Sequence, residues 1–391
     1  MKINISKSFL IDVILFNQLI YFVAFVFDNV NYLWFTLNVV IASSLLVFRP
    51  RIKLKFLPLF FVVFFLSLNY FINLNSKLSS IIFSVSIILT SIIQLEFIND
   101  NFQKYNFQKF VKKTIYFFLI FYLVQALSFN IAGIELNIFG LSTENATIFR
   151  FNSLMSEPSY SSTVMVTLLF INQKLKTENS LSVEIIGFIF ILLCQSLFGI
   201  LLYLIYAFIY HRKNFKKLFV IEVFSLIIIL LFFFSSDYFI RFKNILEFFN
   251  QSQVDFLEIV KVEPSGAFRI LPFILYIESF EFSMILNYLF GFGAGSSENY
   301  LSYELFKIGY GNNQYEGSFQ GGFFPGFLID YGIVAVILIF YSLKKIFLIK
   351  NNLFQYIIIL TIMINVNINT QLFWFPLFLL FITKLYEENF S

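Results

Sequence analysis

The sequence predicts an all-α, polytopic membrane protein. Three observations carry this: 59% hydrophobic against 13% charged residues, a mean hydropathy of +0.82, and apolar runs that recur along the whole chain. Globular domains carry about 25% charged residues, so this surface is made for a medium other than water. The runs are about 17 to 20 residues long, the length a helix needs to cross the hydrocarbon core of a bilayer.

Helices are predicted at about 9–27, 31–48, 56–74, 78–97, 114–132, 160–172, 183–195, 197–210, 218–236, 324–343, 353–369 and 371–385, about twelve in all. The segments between them alternate in charge. "RPRIKLK" (49–55), "QKYNFQKFVKK" (103–113), "QKLK" (173–176), "HRKNFKK" (211–217) and "KKIFLIK" (344–350) hold most of the Lys and Arg. With Lys2 and Lys7 they are expected on the cytoplasmic side of the membrane, and both termini with them. The formal charge of +4 says less than this distribution. The other loops are poor in Lys and Arg, and two are long, about 132–159 and 237–323, both expected outside. No internal repeat or soluble domain is evident, so residues 1–391 read as one integral membrane domain.

One stretch strains the alternation. Residues 181–210 lie between two basic loops, and a single helix there would put those loops on opposite sides. Two short helices broken near "CQSLFG" (194–199) restore parity and bring Ser196 toward the external face. Such a break is tolerated at membrane depth only where protein or a water-filled cavity satisfies the freed backbone. Within the second long loop, "AFRILPFILYIESFEFSMILNYLF" (267–290) suits a segment lying on or dipping into the membrane surface.

Absences narrow the chemistry. Cys194 is the one cysteine, so no intramolecular disulfide or cysteine metal cluster is possible. His211 is the one histidine and falls in a basic segment expected in the cytoplasm, which removes an outward Ser–His–Asp triad and a His-based zinc site. There is no GxxxxGK[ST] motif. "GFGAG" (291–295) lacks the strand and acidic residue of a dinucleotide site and reads as a turn. Asp12, Glu184 and Glu222 fall near predicted helix ends, where snorkelling to water is expected. No cofactor, metal or nucleic acid is implied.

Polar chemistry concentrates in "FRFNSLMSEPSYSS" (149–162). Pro158 fits the first turn of a helix, Ser156 its N-cap and Glu157 a first-turn anion. Capping leaves Arg150 and Asn152 unexplained. A site reading places Glu157 in an external cavity beside Arg150, with Asn152 and Tyr160 orienting a sugar hydroxyl. A second cluster, "SGAFRILPF" (265–273), holds Arg269, the only basic residue between 262 and 306. Arg269 either pairs with Glu278 or Glu281, or converges with Arg150 on a phosphate-bearing ligand, which a guanidinium grips in bidentate fashion. Tyr300, Tyr310 and Tyr315, in a Gly/Asn/Ser-rich stretch (291–322), are either sugar-stacking residues or part of a plain loop. Lys261, Arg241 and Lys243 either extend a basic surface or face solvent.

The order of these features resembles the O-antigen polymerase and ligase superfamily of bacterial membrane glycosyltransferases. The resemblance covers most of the chain and rests on Arg150 followed by "SLMSEPS", the "QSLFG" break (195–199), "SGAFR" ahead of "GFGAG", and "GGFFPGFLIDYGIVAVIL" (321–338). It implies a GT-C-like helical core and a metal-independent polymerase that joins undecaprenyl-diphosphate-linked oligosaccharide repeat units. It also implies arginines of the two outward loops, by position Arg150 and Arg269, as binders of donor and acceptor. The product would be an O-antigen, capsule or exopolysaccharide. The implied partners are the lipid-linked oligosaccharide, membrane lipids, a flippase and a chain-length regulator. The ligases carry a histidine in the large loop and this chain does not, which favours polymerase over ligase. The family often has an arginine after the serine of the break, where this chain has Leu197. Glu157 is the candidate base for the acceptor hydroxyl, or else the group that fixes Arg150. The competing expectation is a flippase for the same lipid-linked oligosaccharide.

Overall fold

The computed structural model describes residues 6–20, 26–27, 30–48, 53–73, 76–134, 136, 151, 153–155, 157–175, 180–194, 196–214, 216–233, 264–307, 323–349 and 352–390. They form fifteen α-helices: α1 Lys7–Leu19, α2 Tyr32–Leu46, α3 Leu57–Ile72, α4 Leu78–Asn101, α5 Phe107–Ala132, α6 Pro158–Leu175, α7 Ser180–Leu193, α8 Leu197–Asn214, α9 Lys216–Phe233, α10 Pro264–Glu278, α11 Ile285–Phe290, α12 Ser297–Lys307, α13 Leu328–Phe347, α14 Leu353–Asn365 and α15 Gln371–Phe390. Among the described residues, four helical stretches are long and apolar enough to cross a membrane: Leu54–Ile72, Leu78–Asn101, Phe107–Ala132 and Phe323–Phe347. The pair Leu271–Glu278 and Phe282–Phe290, bent by 100° at its break, makes a fifth if it counts as one span. Tyr32–Leu46, Leu181–Leu193, Phe198–Arg212 and Leu353–Ile364 are apolar but shorter. In length and composition these are the helices of a membrane protein.

The first predicted helix, 9–27, is cut short. α1 ends at Leu19, and Val26–Phe27 pairs antiparallel with Val30–Asn31. The dipeptide Asp28–Asn29 between those strands is a turn signal that outweighs local hydrophobicity. Asn31 then caps α2, its Oδ1 accepting the Trp34 N–H at 3.0 Å.

The chain divides into two compact units: Met1–Leu68, Ser79–Tyr206 and Ile337–Ser391 form one, Asn69–Leu78 and Ala207–Val336 the other. In the first unit α6 is central, packed by α5, α7, α14 and α15, and α1 packs on α15 and α2. Nearly every side chain of α6 is buried, its hydroxyls included. Those hydroxyls are satisfied within the helix. Ser162 Oγ donates to Pro158 O at 2.9 Å, Thr163 Oγ1 to Ser159 O at 2.9 Å and Thr167 Oγ1 to Thr163 O at 2.9 Å. Small hydroxyl residues that bond their own backbone let neighbouring helices approach closely, the usual basis of helix association in lipid. Gly199 and Gly187 use that room. A Cβ on Gly199 would lie 2.1 Å from Ser162 Oγ, and one on Gly187 2.5 Å from Leu169 Cδ2.

A side-chain amide network joins α1, α2 and α4. Gln18 Nε2 donates to Asn38 Oδ1 at 2.7 Å and to Gln94 Oε1 at 3.0 Å, and Gln94 Nε2 donates to Asn38 Oδ1 at 2.8 Å. Trp34 Nε1 donates to Gln18 Oε1 at 3.2 Å. All four residues are buried, so the bonds form where water does not compete for them.

The second unit contains the helical elbow and a glycine loop. α10 carries Pro272 inside it and leads through Phe282–Met284 into α11. The loop Gly291–Gly295 follows, then α12. α13 is interrupted at Gly332, where φ is +76°.

Candidate functional site

The segment that leads into α6 is held by one face of α5. Phe118, Tyr122, Gln125 and Phe129 fall four, three and four residues apart, a spacing that aligns them along a helix. Ser153 Oγ donates to Phe118 O at 2.8 Å, and Ser153 N–H donates to Gln125 Oε1 at 2.8 Å. Phe151 packs edge-on against Tyr122 at 5.7 Å and against Phe129 at 5.9 Å. Ser153 has φ +53°, a left-handed conformation rare outside glycine, and these bonds hold it there. Ser153, Leu154 and Met155 are fully buried.

Past this buried turn the chain emerges at Glu157, which is exposed. Its backbone carbonyl accepts the N–H groups of Tyr160 and Ser161, each at 3.1 Å, and Ser159 Oγ donates to Glu157 Oε2 at 3.0 Å. Pro158 opens α6, as its missing N–H predicts. The N-cap position, however, belongs to Glu157, where Ser156 was expected. Proline at the first helical position makes the residue before it the cap, one place later than the serine. Tyr160 is half-buried in the first turn. Arg150, Asn152 and Ser156 lie outside the described residues. The result is a carboxylate at the mouth of a buried, hydroxyl-lined helix, where the positive end of the helix dipole favours an anion.

The predicted break near 194–199 is present. α7 ends at Leu193 and α8 begins at Leu197, capped by Ser196, whose Oγ accepts the Gly199 N–H at 3.2 Å. Tyr122 OH donates to Leu193 O at 2.7 Å and so satisfies a carbonyl that the break frees. Tyr122 thereby serves both the break and the approach to α6. Its role is not legible in the charged segment, which carries no sign of the helix that faces it. The recurrence of Phe118, Tyr122, Gln125 and Phe129 was the available signal.

Comparisons with protein-family models, with curated proteins and with solved structures give no match.

The second unit holds the other predicted cluster. Arg269 lies in α10, and its side chain is outside the described residues, as is Tyr310. The loop "GFGAG" is a turn, as expected, and it is fully committed. The amides of Gly291, Phe292 and Gly293 donate to Asn287 O, Ile329 O and Asp330 O at 2.7, 2.8 and 3.2 Å. Ala294 N–H donates to Ser76 Oγ at 3.2 Å, and Ser296 N–H to Gly293 O at 3.0 Å. The Asp330 carboxylate meets the amides of Gly295, Ser296 and Ser297, the last at 2.7 Å. Every amide from Gly291 to Ser297 therefore has an acceptor, and a protein carboxylate occupies the place where a phosphate would sit. Asn69 Nδ2 donates to Phe290 O at 2.8 Å and Lys77 N–H to Ala294 O at 2.8 Å, which fastens the loop on its other edge.

Tyr300 is half-buried and hydrogen-bonded to Ser279 Oγ, with its ring 4.9 Å from Phe292 and 6.4 Å from Tyr276. Burial raises its phenol above the ordinary value, keeping the hydroxyl neutral. Tyr288 OH donates to Ser279 O at 2.7 Å. Tyr300 thus ties α12 to the end of α10. The sugar-stacking expectation did not foresee that its ring has aromatic neighbours of its own.

The buried charges correct a further expectation. Glu184 is fully buried, where snorkelling was expected. It accepts from Asn172 Nδ2 at 3.3 Å, Gln173 Nε2 at 3.1 Å and Tyr206 OH at 3.0 Å. His211 is in the last turn of α8, fully buried, with Nδ1 2.9 Å from Glu222 Oε2. Short polar side chains on facing helices supply partners, so neither carboxylate needs to reach water. Asp12 accepts the Tyr105 hydroxyl at 2.6 Å.

Proposed function

We propose that this protein polymerises undecaprenyl-diphosphate-linked oligosaccharide repeat units into a surface polysaccharide at the outer face of a bacterial cytoplasmic membrane. In this reading the chain crosses about twelve times with both termini in the cytoplasm, builds a GT-C-like core, and sends 132–159 and 237–323 outward. The observation that carries the reading is the exposed Glu157 carboxylate, set by a buried, strained turn at the mouth of α6. The resemblance in motif order supports it.

The chemistry balances without a metal. An acceptor sugar hydroxyl attacks the anomeric carbon of the donor, and its proton passes to Glu157. The new glycosidic bond forms as the anomeric C–O bond to undecaprenyl diphosphate breaks, and the diphosphate leaves with the electron pair. Arg150 and Arg269 hold the diphosphates of donor and acceptor, and charge that grows on a departing diphosphate is stabilised more in the transition state than before it. Asn152, Ser156 and Tyr160 orient hydroxyls. A positioned base is worth about 10²–10⁴-fold.

The test is polysaccharide length on gel ladders from cells lacking the gene, complemented with wild type, Arg150→Ala, Arg269→Ala or Glu157→Gln at matched protein levels. Wild type restores long chains, and each variant leaves single repeat units. A second reading, a flippase for the same lipid-linked oligosaccharide, draws on the buried Glu184 and the His211–Glu222 pair, since ionisable residues inside membrane helices often serve transport. Loss of single surface units in the null strain, with full complementation by all three variants, favours that reading and overturns the first.

A further inference from the structure

We infer that Gln125 and Tyr122 of α5 are positioning residues that fix the direction in which Glu157 leaves the buried turn. The inference rests on the polymerase reading. Gln125 holds two separate points of the chain with one amide. Its Oε1 accepts Ser153 N–H at 2.8 Å, and its Nε2 donates to Leu136 O at 3.2 Å. Leu136 and Ser153 are therefore held by the same side chain, and Gln125 sets where Ser153 sits relative to Leu136.

Tyr122 works one turn away. It packs against the Phe151 ring at 5.7 Å, the Phe151 backbone N–H is in hydrogen-bond contact with its hydroxyl, and that hydroxyl donates to Leu193 O at 2.7 Å. The start of the turn is in this way referred to the end of α7 as well as to α5. Both residues are nearly fully buried, so their bonds are not exchanged with water. Ser153 needs such support because its φ of +53° is not a conformation serine adopts without compensation. Neither Gln125 nor Tyr122 is placed in contact with substrate. Their effect on Glu157 starts from the residues they hold, Phe151 and Ser153, and a displacement of about 1 Å at a reacting group costs on the order of 10²-fold in rate.

The experiment compares Gln125→Leu, Gln125→Glu and Tyr122→Phe with Tyr116→Phe, a control at an exposed position on the same helix. Purified protein is given lipid-linked repeat units to follow polymerisation, and amide exchange is followed over 151–157. Gln125→Glu keeps the acceptor for Ser153 N–H and sets an oxygen, in place of the amide donor, against Leu136 O. For Gln125→Leu the expected result is a fall in kcat of about 10- to 100-fold with KM within about twofold, and faster exchange at Ser153. Gln125→Glu restores Ser153 protection and most of the rate. Tyr122→Phe falls between, and the control is silent. Unchanged exchange at Ser153 in Gln125→Leu overturns the inference, as does faster exchange with an unaltered rate. Should Gln125→Leu fail to fold, the rate and exchange of Gln125→Glu and Tyr122→Phe decide alone. A wild-type protein that builds no polymer sinks the polymerase reading and the positioning role with it, while the exchange data still report whether Gln125 pins the turn.

Discussion

Asp330 accepts the backbone N–H of Ser297 at 2.7 Å and thereby caps α12 from a different helix. The same carboxylate meets the amides of Gly295 and Ser296. Hydrogen bonds to a charged acceptor are worth about 1.5–3 kcal/mol each, and a buried amide left without one costs about 1–3 kcal/mol. Asp330→Ala is expected to lower the thermal midpoint of the detergent-solubilised protein by several degrees, and Asp330→Asn by less, since one oxygen remains. An Asp330→Ala midpoint equal to wild type shows that the cap is dispensable.

Two glycines beside that cap each press against backbone of the other's segment. A Cβ on Gly291 would lie 2.2 Å from Asp330 O, and one on Gly332 2.3 Å from Leu289 O, with φ of +90° and +76°. Backbone cannot swing aside as a side chain can, so Gly291→Ala and Gly332→Ala are expected to abolish stable expression. Gly133 provides the control: its φ is +63° but nothing lies within 4 Å of its would-be Cβ. Gly133→Ala carries only the conformational cost, about 1–2 kcal/mol. Equal yields for all three variants contradict the packing.

The membrane class and most helix locations were legible in the sequence because they depend on local composition. The break near 194–199 was legible too, since two short helices keep the charge alternation that one helix would upset. The fastening of Ser153 was not. It depends on Gln125 meeting two remote backbone groups, and a glutamine in an apolar helix carries no local sign of its partners. Glu184 misled for the same reason. Its position near the start of α7 suggested access to water, and only the fold brings Asn172, Gln173 and Tyr206 onto it. "GFGAG" was readable as a turn, yet its partner Asp330 lies beyond 308–322 in sequence, out of reach of any local pattern.

The approach of α6 and α8 gives a test by compensation. A Cβ on Gly199 would stand 2.1 Å from Ser162 Oγ and 2.3 Å from Ser162 Cβ. Gly199→Ala is therefore expected to destabilise, by about 1–3 kcal/mol for overpacking. Removing only the hydroxyl leaves the Cβ conflict, so Ser162→Ala should rescue poorly and Ser162→Gly better. Thermal midpoints of the three single and two double variants yield the coupling directly. Additive effects in the Gly199→Ala, Ser162→Gly pair exclude the close contact.

Glu184 separates the two functional readings. Three donors converge on a carboxylate that has no exposed surface. Under the polymerase reading Glu184 is structural. Glu184→Ala removes the carboxylate that Asn172, Gln173 and Tyr206 share, although Tyr206 OH keeps Leu169 O at 3.3 Å. A lost bond to a charged acceptor is worth about 1.5–3 kcal/mol, so the thermal midpoint falls. Glu184→Gln keeps one accepting oxygen but turns an amide toward a donor, so its loss is intermediate. The folded fraction of either variant should still make full-length polysaccharide. A transport role predicts the reverse pattern: Glu184→Gln folds, reaches the membrane at the wild-type level, and delivers no repeat units to the surface. Fluorescence-detected size exclusion for the folded fraction, run beside the gel ladder, distinguishes the two, because only in the transport case do fold and function part company at this residue.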